Sequence, residues 1–257
     1  MCGRFNVTSD PLSRLLMELL GMRHPGPDNF NAAPTESIVV ARLGEDGAPE
    51  LVPMRWWLTP FWAKEMSSRY SMFNAKSEKV HQSPAFREPF RNRRCVVPVS
   101  GFYEWARAAG QKVPYYIRPH QLPGLLLAGI WDHWRNPETD EMLYSFAVLT
   151  APANEALTFV HSRQPVMLSL AEAHRWLSGG TPEDELRALM NSALPMTLDA
   201  VPVSSYVNNA RHKDARCTQA IADPVLVSGD SAAPEQKGNE TAGEKGFEGG
   251  GNEGAAP

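Results

Sequence analysis

The second residue of the chain, in Met1-Cys2-Gly3-Arg4-Phe5, is small enough for Met1 to be removed by the ordinary processing of new chains. The mature protein then begins with a free α-amine on the carbon that carries a thiol. Reference pKa values of about 7.7 to 8 for the amine and about 8.5 for the thiol leave part of each nucleophilic near neutrality, and a buried or electropositive site is expected to raise that fraction. Such a pair captures aldehydes. The amine condenses to an imine with loss of water, the thiol closes onto the C=N carbon, and a five-membered thiazolidine results. From position alone Cys2 reads more simply as part of a loose chain end, so the chemistry depends on what other segments bring to it.

The remaining cysteines, Cys95 and Cys217, make with Cys2 an odd and widely spaced set. No C-x-x-C pair and no histidine at zinc-ligand spacing accompanies them, so neither a disulfide framework nor a structural metal is indicated, and no cofactor is expected. The net charge of −4 argues at first against a nucleic-acid partner. From Ser228 onward, however, the chain holds six acidic residues, two lysines and eight of its 19 glycines, and the rest then balances at 23 basic and 23 acidic residues. Residues 228–257 are expected to be a disordered Gly/Glu-rich acidic tail.

Several elements must position Cys2. Ser9 or Asp10 is placed to cap a helix with Pro11 in its first turn, Leu12, Leu15, Leu16 and Leu19 on one face, and Gly21 as its stop. Apolar runs rich in β-branched and aromatic residues predict strands over 37–43, 50–57, 94–99, 113–118, 125–131, 142–149 and about 196–203. Two further helices are predicted, one from Ser169 through Trp176 and one opened by Thr181-Pro182-Glu183-Asp184. No fixed-period repeat is present. The expected fold is α+β: one compact domain over residues 1–227, mainly antiparallel sheet or barrel with flanking helices.

Five motifs occur together in order: Met1 to Phe5, FNAAPT at 30–35, FNAKSE at 73–78, RRCVVPVSGFYEW at 93–105 and VHSRQPVML at 160–168. Together they resemble the SOS-response-associated peptidase (SRAP) family of abasic-site DNA–protein crosslinking proteins. The resemblance spans essentially the whole folded part and excludes the tail. It implies a compact β-rich fold and single-stranded DNA, or a single-to-double-strand junction carrying an abasic site, as partner. It also implies a thiazolidine between the N-terminal cysteine and the ring-opened deoxyribose.

Matched residue by residue, the resemblance makes Cys2 the nucleophile and Asn74 a pocket asparagine able to donate and accept hydrogen bonds. It makes Glu104 the catalytic glutamate; flanked by Phe102, Tyr103 and Trp105, its carboxyl should be partly desolvated and suited to proton transfer. It assigns His161 to opening the closed sugar, since only the open form presents an aldehyde. Taken singly, the same residues read as a turn asparagine, an ion-paired strand glutamate and a hydrogen-bonded structural histidine. The six other histidines stay unassigned.

For DNA contact, Arg4 lies two residues from the nucleophile with a fork that fits phosphate. Lys76 stands where relatives usually carry arginine and keeps the charge without the bidentate grip. Arg87 heads a basic run with Arg91, Arg93 and Arg94, which a solvated face would explain as well. Trp56 to Trp62 resembles the family's W-G-L-x-P-x-W, whose last Trp stacks beside the damaged nucleotide; Trp62 is that residue, Trp57 replaces the glycine, and Trp56 and Trp57 read equally well as core. Pro34 would help shape the same wall, or simply serve a turn.

Two other functions remain open: a cysteine peptidase with Cys2 as N-terminal nucleophile paired with His161, and a non-covalent single-stranded-DNA-binding module. No secretory signal and no apolar run of membrane-spanning length is present, so a monomer in the cytoplasm, nucleoid-associated when on DNA and without membrane contact, is expected.

Overall fold

Alternation along the strands sorts the side chains onto two faces of each sheet, and that sorting decides what reaches Cys2. The structure, a computed structural model, describes residues 2–67, 69–108 and 110–229; the predicted tail lies almost wholly outside them. In chain order the strands are β1 (Phe5–Val7), β2 (Asn29–Ala32), β3 (Ser37–Leu43), β4 (Pro49–Trp56), β5 (Asn74–Lys76), β6 (Arg94–Val99) and β7 (Gly101–Ala108). They continue as β8 (Gln111–Pro119), β9 (Leu125–Arg135), β10 (Met142–Pro152), β11 (Arg163–Pro165), β12 (Met167–Leu168), β13 (Leu198–Pro202) and β14 (Val225–Val227). The helices are α1 (Ser9–Leu20), α2 (Arg87–Asn92), α3 (Leu170–Leu177) and α4 (Glu183–Leu189).

Strand β10 pairs parallel with β4, β4 and β6 each pair antiparallel with β3, and β9 pairs antiparallel with both β6 and β10. These five strands therefore close on themselves into a barrel. A second, six-stranded sheet runs in the order β14-β13-β8-β7-β1-β2. The expected mainly antiparallel α+β fold with a barrel is what forms, and its parallel pairs are β10 with β4 and with β5.

The six-stranded sheet presents Phe5, Val7, Phe102, Ala106, Ile117, Leu198 and Ala200 to a core shared with Ile38, Val40, Met54, Val97 and Phe146 of the barrel. Trp56 is fully buried in this core, its ring stacked on Phe5 at a centroid distance of 3.9 Å. That settles Trp56 as core. A second core packs the other barrel face, with Ala41, Val96, Ala128 and Leu149, against Leu16 and Leu19 of α1 and Trp176 of α3.

The predicted helices form where the apolar spacing put them, but two caps differ. Thr8 is the N-cap residue of α1 and supplies no side-chain bond; Asp28 accepts from the Ser9 N–H instead, at 2.7 Å. Thr181 donates its hydroxyl to the Arg175 carbonyl at 2.6 Å rather than capping α4. Ser169 and Glu172 do form a reciprocal capping box on α3, and Gly21 ends α1 with a left-handed φ of 70°.

Candidate functional site

Cys2 lies three residues before β1, whose pairing with β2 and β7 draws the N-terminus into the shared core. Its side chain is 1% exposed. The chain end is therefore a packed element, contrary to the plain positional reading. Burial, with the Glu104 carboxylate as the next cause, holds the Cys2 thiol well above its usual range. This corrects the expectation of a thiol made more nucleophilic by its site: what surrounds it is apolar and carries a negative charge, so the neutral thiol is favoured.

Glu104 reaches the same core because β7 alternates. Phe102 and Ala106 face inward with Glu104, while Tyr103 packs on the opposite face with Tyr116, Val201 and Val207, and Trp105 packs with that group. The aromatic residues adjacent in sequence are thus not all its neighbours in space. Glu104, 6% exposed, lines a cavity of about 10 Å³ with the apolar Phe102, Ile117, Leu157 and Val160 and with Arg163 and Gln164.

His161 lines that same small cavity. It follows the 3-10 turn Glu155–Leu157, and its Nδ1 accepts the backbone N–H of Arg163 at 3.0 Å. In the neutral ring that puts the proton on Nε2.

Asn74 opens β5, a three-residue strand parallel to β10 with Asn74 opposite Val148. Its Nδ2 donates to the Cys2 carbonyl at 2.8 Å. The buried Oδ1 accepts no hydrogen bond among the described residues, which leaves an acceptor next to the N-terminal residue. Four residues from four distant segments thus meet: Asn74 bonded to Cys2, Cys2 under the charge of Glu104, and Glu104 sharing a cavity with His161.

Sequence reasoning missed Glu78 and Arg163, although both stand in the quoted motifs. Arg163 grips Glu78 with two bonds of 2.7 and 2.9 Å and also bonds Thr150 of β10. The pair ties the segment carrying Asn74 to the segment carrying His161. Bidentate Arg–carboxylate geometry was the signal available, but pairing partners 85 positions apart are not legible from spacing. The Arg163 guanidinium pulls the Glu78 carboxyl down to about 2. A lowered folded-state value stabilises above the ordinary carboxylate pKa and is lost as pH falls toward 2. Because Glu78 is 45% exposed, Glu78→Gln should cost at most about 1 kcal/mol, or about 2–4 °C in Tm, at pH 7. The gap between variant and parent should close below pH 4.5, as thermal melts across pH will check.

The DNA-contact candidates lie at varying distance from this centre. Lys76, exposed, shares with Asn74, Lys79, Gln82, Ser83 and Phe86 a shallow groove of about 340 Å³. Arg4 donates to Asn31 Oδ1 at 2.8 Å and to the carbonyls of Val207 at 2.9 Å and Asn208 at 3.3 Å, so it also staples the 3-10 turn Ser205–Asn208 to the N-terminus. It lines a separate pocket with Gly3, Trp105 and Lys112.

Trp62 is 55% exposed and Phe61 52%, on a loop held by Phe61 N–H to Asp132 at 3.0 Å and by Trp134 Nε1 to the Ala63 carbonyl at 2.7 Å. The loop is pinned while its aromatic rings are presented outward. Trp57, in the glycine's place, donates its Nε1 to the Ser67 carbonyl at 3.2 Å and braces the loop from within. Pro34 stands in the turn Ala33–Glu36, where Thr35 takes a φ of 80°, a left-handed conformation that a β-branched residue rarely adopts.

Arg87 is exposed at the start of α2, but the basic run it heads is not a continuous face. Arg94 is buried and donates to the carbonyls of Trp176 and Ser178, each at 2.7 Å. Arg93 pairs with Glu88 and Asp132, and Arg91 with Glu183. Among the four, Arg87 and Arg94 make no ion pair within the described residues, and of these two only Arg87 is exposed.

Residues 1–210 match the family described as SOS response associated peptidase (SRAP). The chain is 32% identical over 222 residues to the abasic site processing protein YoqW of Bacillus subtilis, covering 82% of this chain and 96% of that one. It is also 32% identical over 194 residues to the abasic site processing protein HMCES of Xenopus tropicalis, covering 66% of this chain and 57% of the relative. A crystal structure from Bacteroides thetaiotaomicron superposes with a TM-score of 0.68 at 22% identity over 84% of this chain and 92% of that one. One from Bordetella bronchiseptica gives 0.68 at 23% identity over 79% and 100%. These two likenesses concern the fold.

Proposed function

The chain belongs to the SOS response associated peptidase family, and from that premise we propose that it captures the aldehyde of an abasic site in single-stranded DNA as a thiazolidine on Cys2, shielding the lesion. The relatives named as abasic site processing proteins support a role in DNA damage. The observation that carries the finer reading is the convergence of Asn74, Glu104 and His161 on a buried N-terminal cysteine.

The steps follow from the groups present. His161 Nε2–H donates to the ring oxygen as the closed sugar opens to the aldehyde. The α-amine released by removal of Met1 adds to that carbon, oriented by the vacant Oδ1 of Asn74, and water leaves to give the imine. The Cys2 sulfur then bonds to the C=N carbon; its proton passes through Glu104 to the nitrogen, and the ring closes. A thiol held above its usual range needs a base at that last step, and Glu104 is the carboxylate whose charge it feels. The same raised thiol offers little to a cysteine peptidase, whose nucleophile works as a thiolate.

Lys76, Lys79, Arg87 and Arg4 supply cations for the phosphates, and Trp62 a face for a base. Trp62→Ala should weaken binding to undamaged single strands by about 1–3 kcal/mol, read by fluorescence anisotropy, with little change in Tm. An oligonucleotide with one abasic site, incubated with the mature protein and denatured by heat, should show a retarded covalent band. If an intact, Met1-free chain yields no such band, the proposal fails.

A further inference from the structure

A cavity of about 750 Å³ lies on the face of the six-stranded sheet turned away from Glu104. Its lining includes Asn6 of β1, Tyr116 and Arg118 of β8 and Asp199 of β13. These are the outward positions that alternate with inward Phe5, Ile117 and Leu198. None of its lining residues takes part in the chemistry assigned to Cys2.

Its floor is built and left incomplete. Asn6 is 4% exposed and Tyr116 6%; Asn6 Nδ2 donates to the Tyr116 hydroxyl at 2.8 Å. Asn6 Oδ1 then accepts from nothing among the described residues, and the Tyr116 hydroxyl proton finds no acceptor there. Turning the amide over merely exchanges which of its ends is left, so a vacancy persists in both orientations. Leaving a buried polar group unpaired is costly. Gly101 belongs to the same construction: a Cβ there would lie 2.5 Å from the Tyr116 ring, so the missing side chain is what lets the ring lie across β7.

The rim is cationic. Arg14 of α1 is exposed and makes no ion pair among the described residues. Arg118 engages Asp199 through Nε at 3.4 Å, keeping its terminal nitrogens for another partner, and His120 holds the same carboxylate at 2.8 Å. Two guanidinium groups against one carboxylate leave a net positive charge. Pro11, Leu122, Pro123 and Val201 add apolar wall.

We propose that this cavity is a second ligand site, separate from the Cys2 centre, that binds a nucleotide by the hydrogen-bonding edge of its base on Asn6 and Tyr116 and by its phosphate at Arg14 and Arg118. An adjacent donor and acceptor on the floor match the edge of a base, and the volume is within the range of small-molecule sites. The nucleotide comes either free or as part of a strand.

Calorimetric titration of the full chain with deoxynucleoside 5′-monophosphates, the parent deoxynucleosides, inorganic phosphate and an undamaged tetranucleotide tests this. A monophosphate should bind at least about tenfold more tightly than its nucleoside or phosphate alone. Arg14→Gln should remove about that factor while leaving abasic-site crosslinking at its parent rate. Tyr116→Phe should lessen discrimination between bases, with a thermal melt verifying that it folds. A tetranucleotide that competes for the same site identifies a strand as the source; one that does not identifies the free nucleotide. No binding at millimolar monophosphate, binding indifferent to Arg14→Gln, or binding abolished by Asn74→Ala would each overturn the proposal.

Discussion

Cys2→Ala is expected to form no covalent adduct with an abasic oligonucleotide that survives heat, and Cys2→Ser only an adduct that needs borohydride to be seen. The serine variant keeps the α-amine and so still condenses to an imine, but its hydroxyl is a poor substitute for sulfur in closing and holding the five-membered ring. A heat-stable band should therefore vanish in both variants, while reductive trapping should restore it in Cys2→Ser. A chain that retains Met1, or is acetylated on Cys2, should give no heat-stable band because its cysteine amine is blocked. Cys2 is buried among Phe5, Trp56 and other core residues, so thermal melts of the variants must show a folded protein. A heat-stable band from folded Cys2→Ala would remove Cys2 from the chemistry altogether.

Much of this centre is legible in the amino-acid sequence, but through motifs rather than physics. Strands β3 and β6 announce themselves by β-branched runs, β9 by the apolar run Leu125 to Trp131, and α1 by its leucine stripe and Gly21. The strand that positions Asn74 does not. Residues Asn74–Lys76 are too few to carry a period, and what holds them is parallel pairing with Val148 to Thr150, some 74 positions away. Strand β1 is equally short and decides the burial of Cys2. The electrostatics of the thiol are hidden for a related reason: alternation in β7 turns Glu104 toward the thiol and Tyr103 away, so linear neighbours mislead. The basic run 87–94 misleads likewise, since Arg94 bonds carbonyls of α2 and of the end of α3, which no spacing foretells.

Glu104→Gln should separate two roles that the carboxylate plays at once. As a charge beside Cys2 it raises the thiol's pKa, so its removal must lower that value, although burial, the larger cause, keeps it above the ordinary range. Glutamine has nearly the same shape and fills the same place between Phe102 and Ile117. At a fixed pH near 8 the variant holds more thiolate, and alkylation of Cys2 by a small reagent should be faster than in the parent. Thiazolidine formation should move the other way. Glutamine cannot take the thiol proton or return it to nitrogen, and loss of a positioned acid–base group typically costs about 10²–10⁴ in rate. Rates of both reactions, measured on the same two proteins across pH, should therefore diverge in sign. If both rise together, Glu104 acts on the sulfur only as a charge and the proton must travel by another route, with His161 the neighbouring group in its cavity. If both fall, the substitution has closed the pocket, which the thermal melt and the state of the Asn74 contact to Cys2 would reveal. Divergence is the outcome required by a neutral thiol that must be deprotonated as it closes the ring.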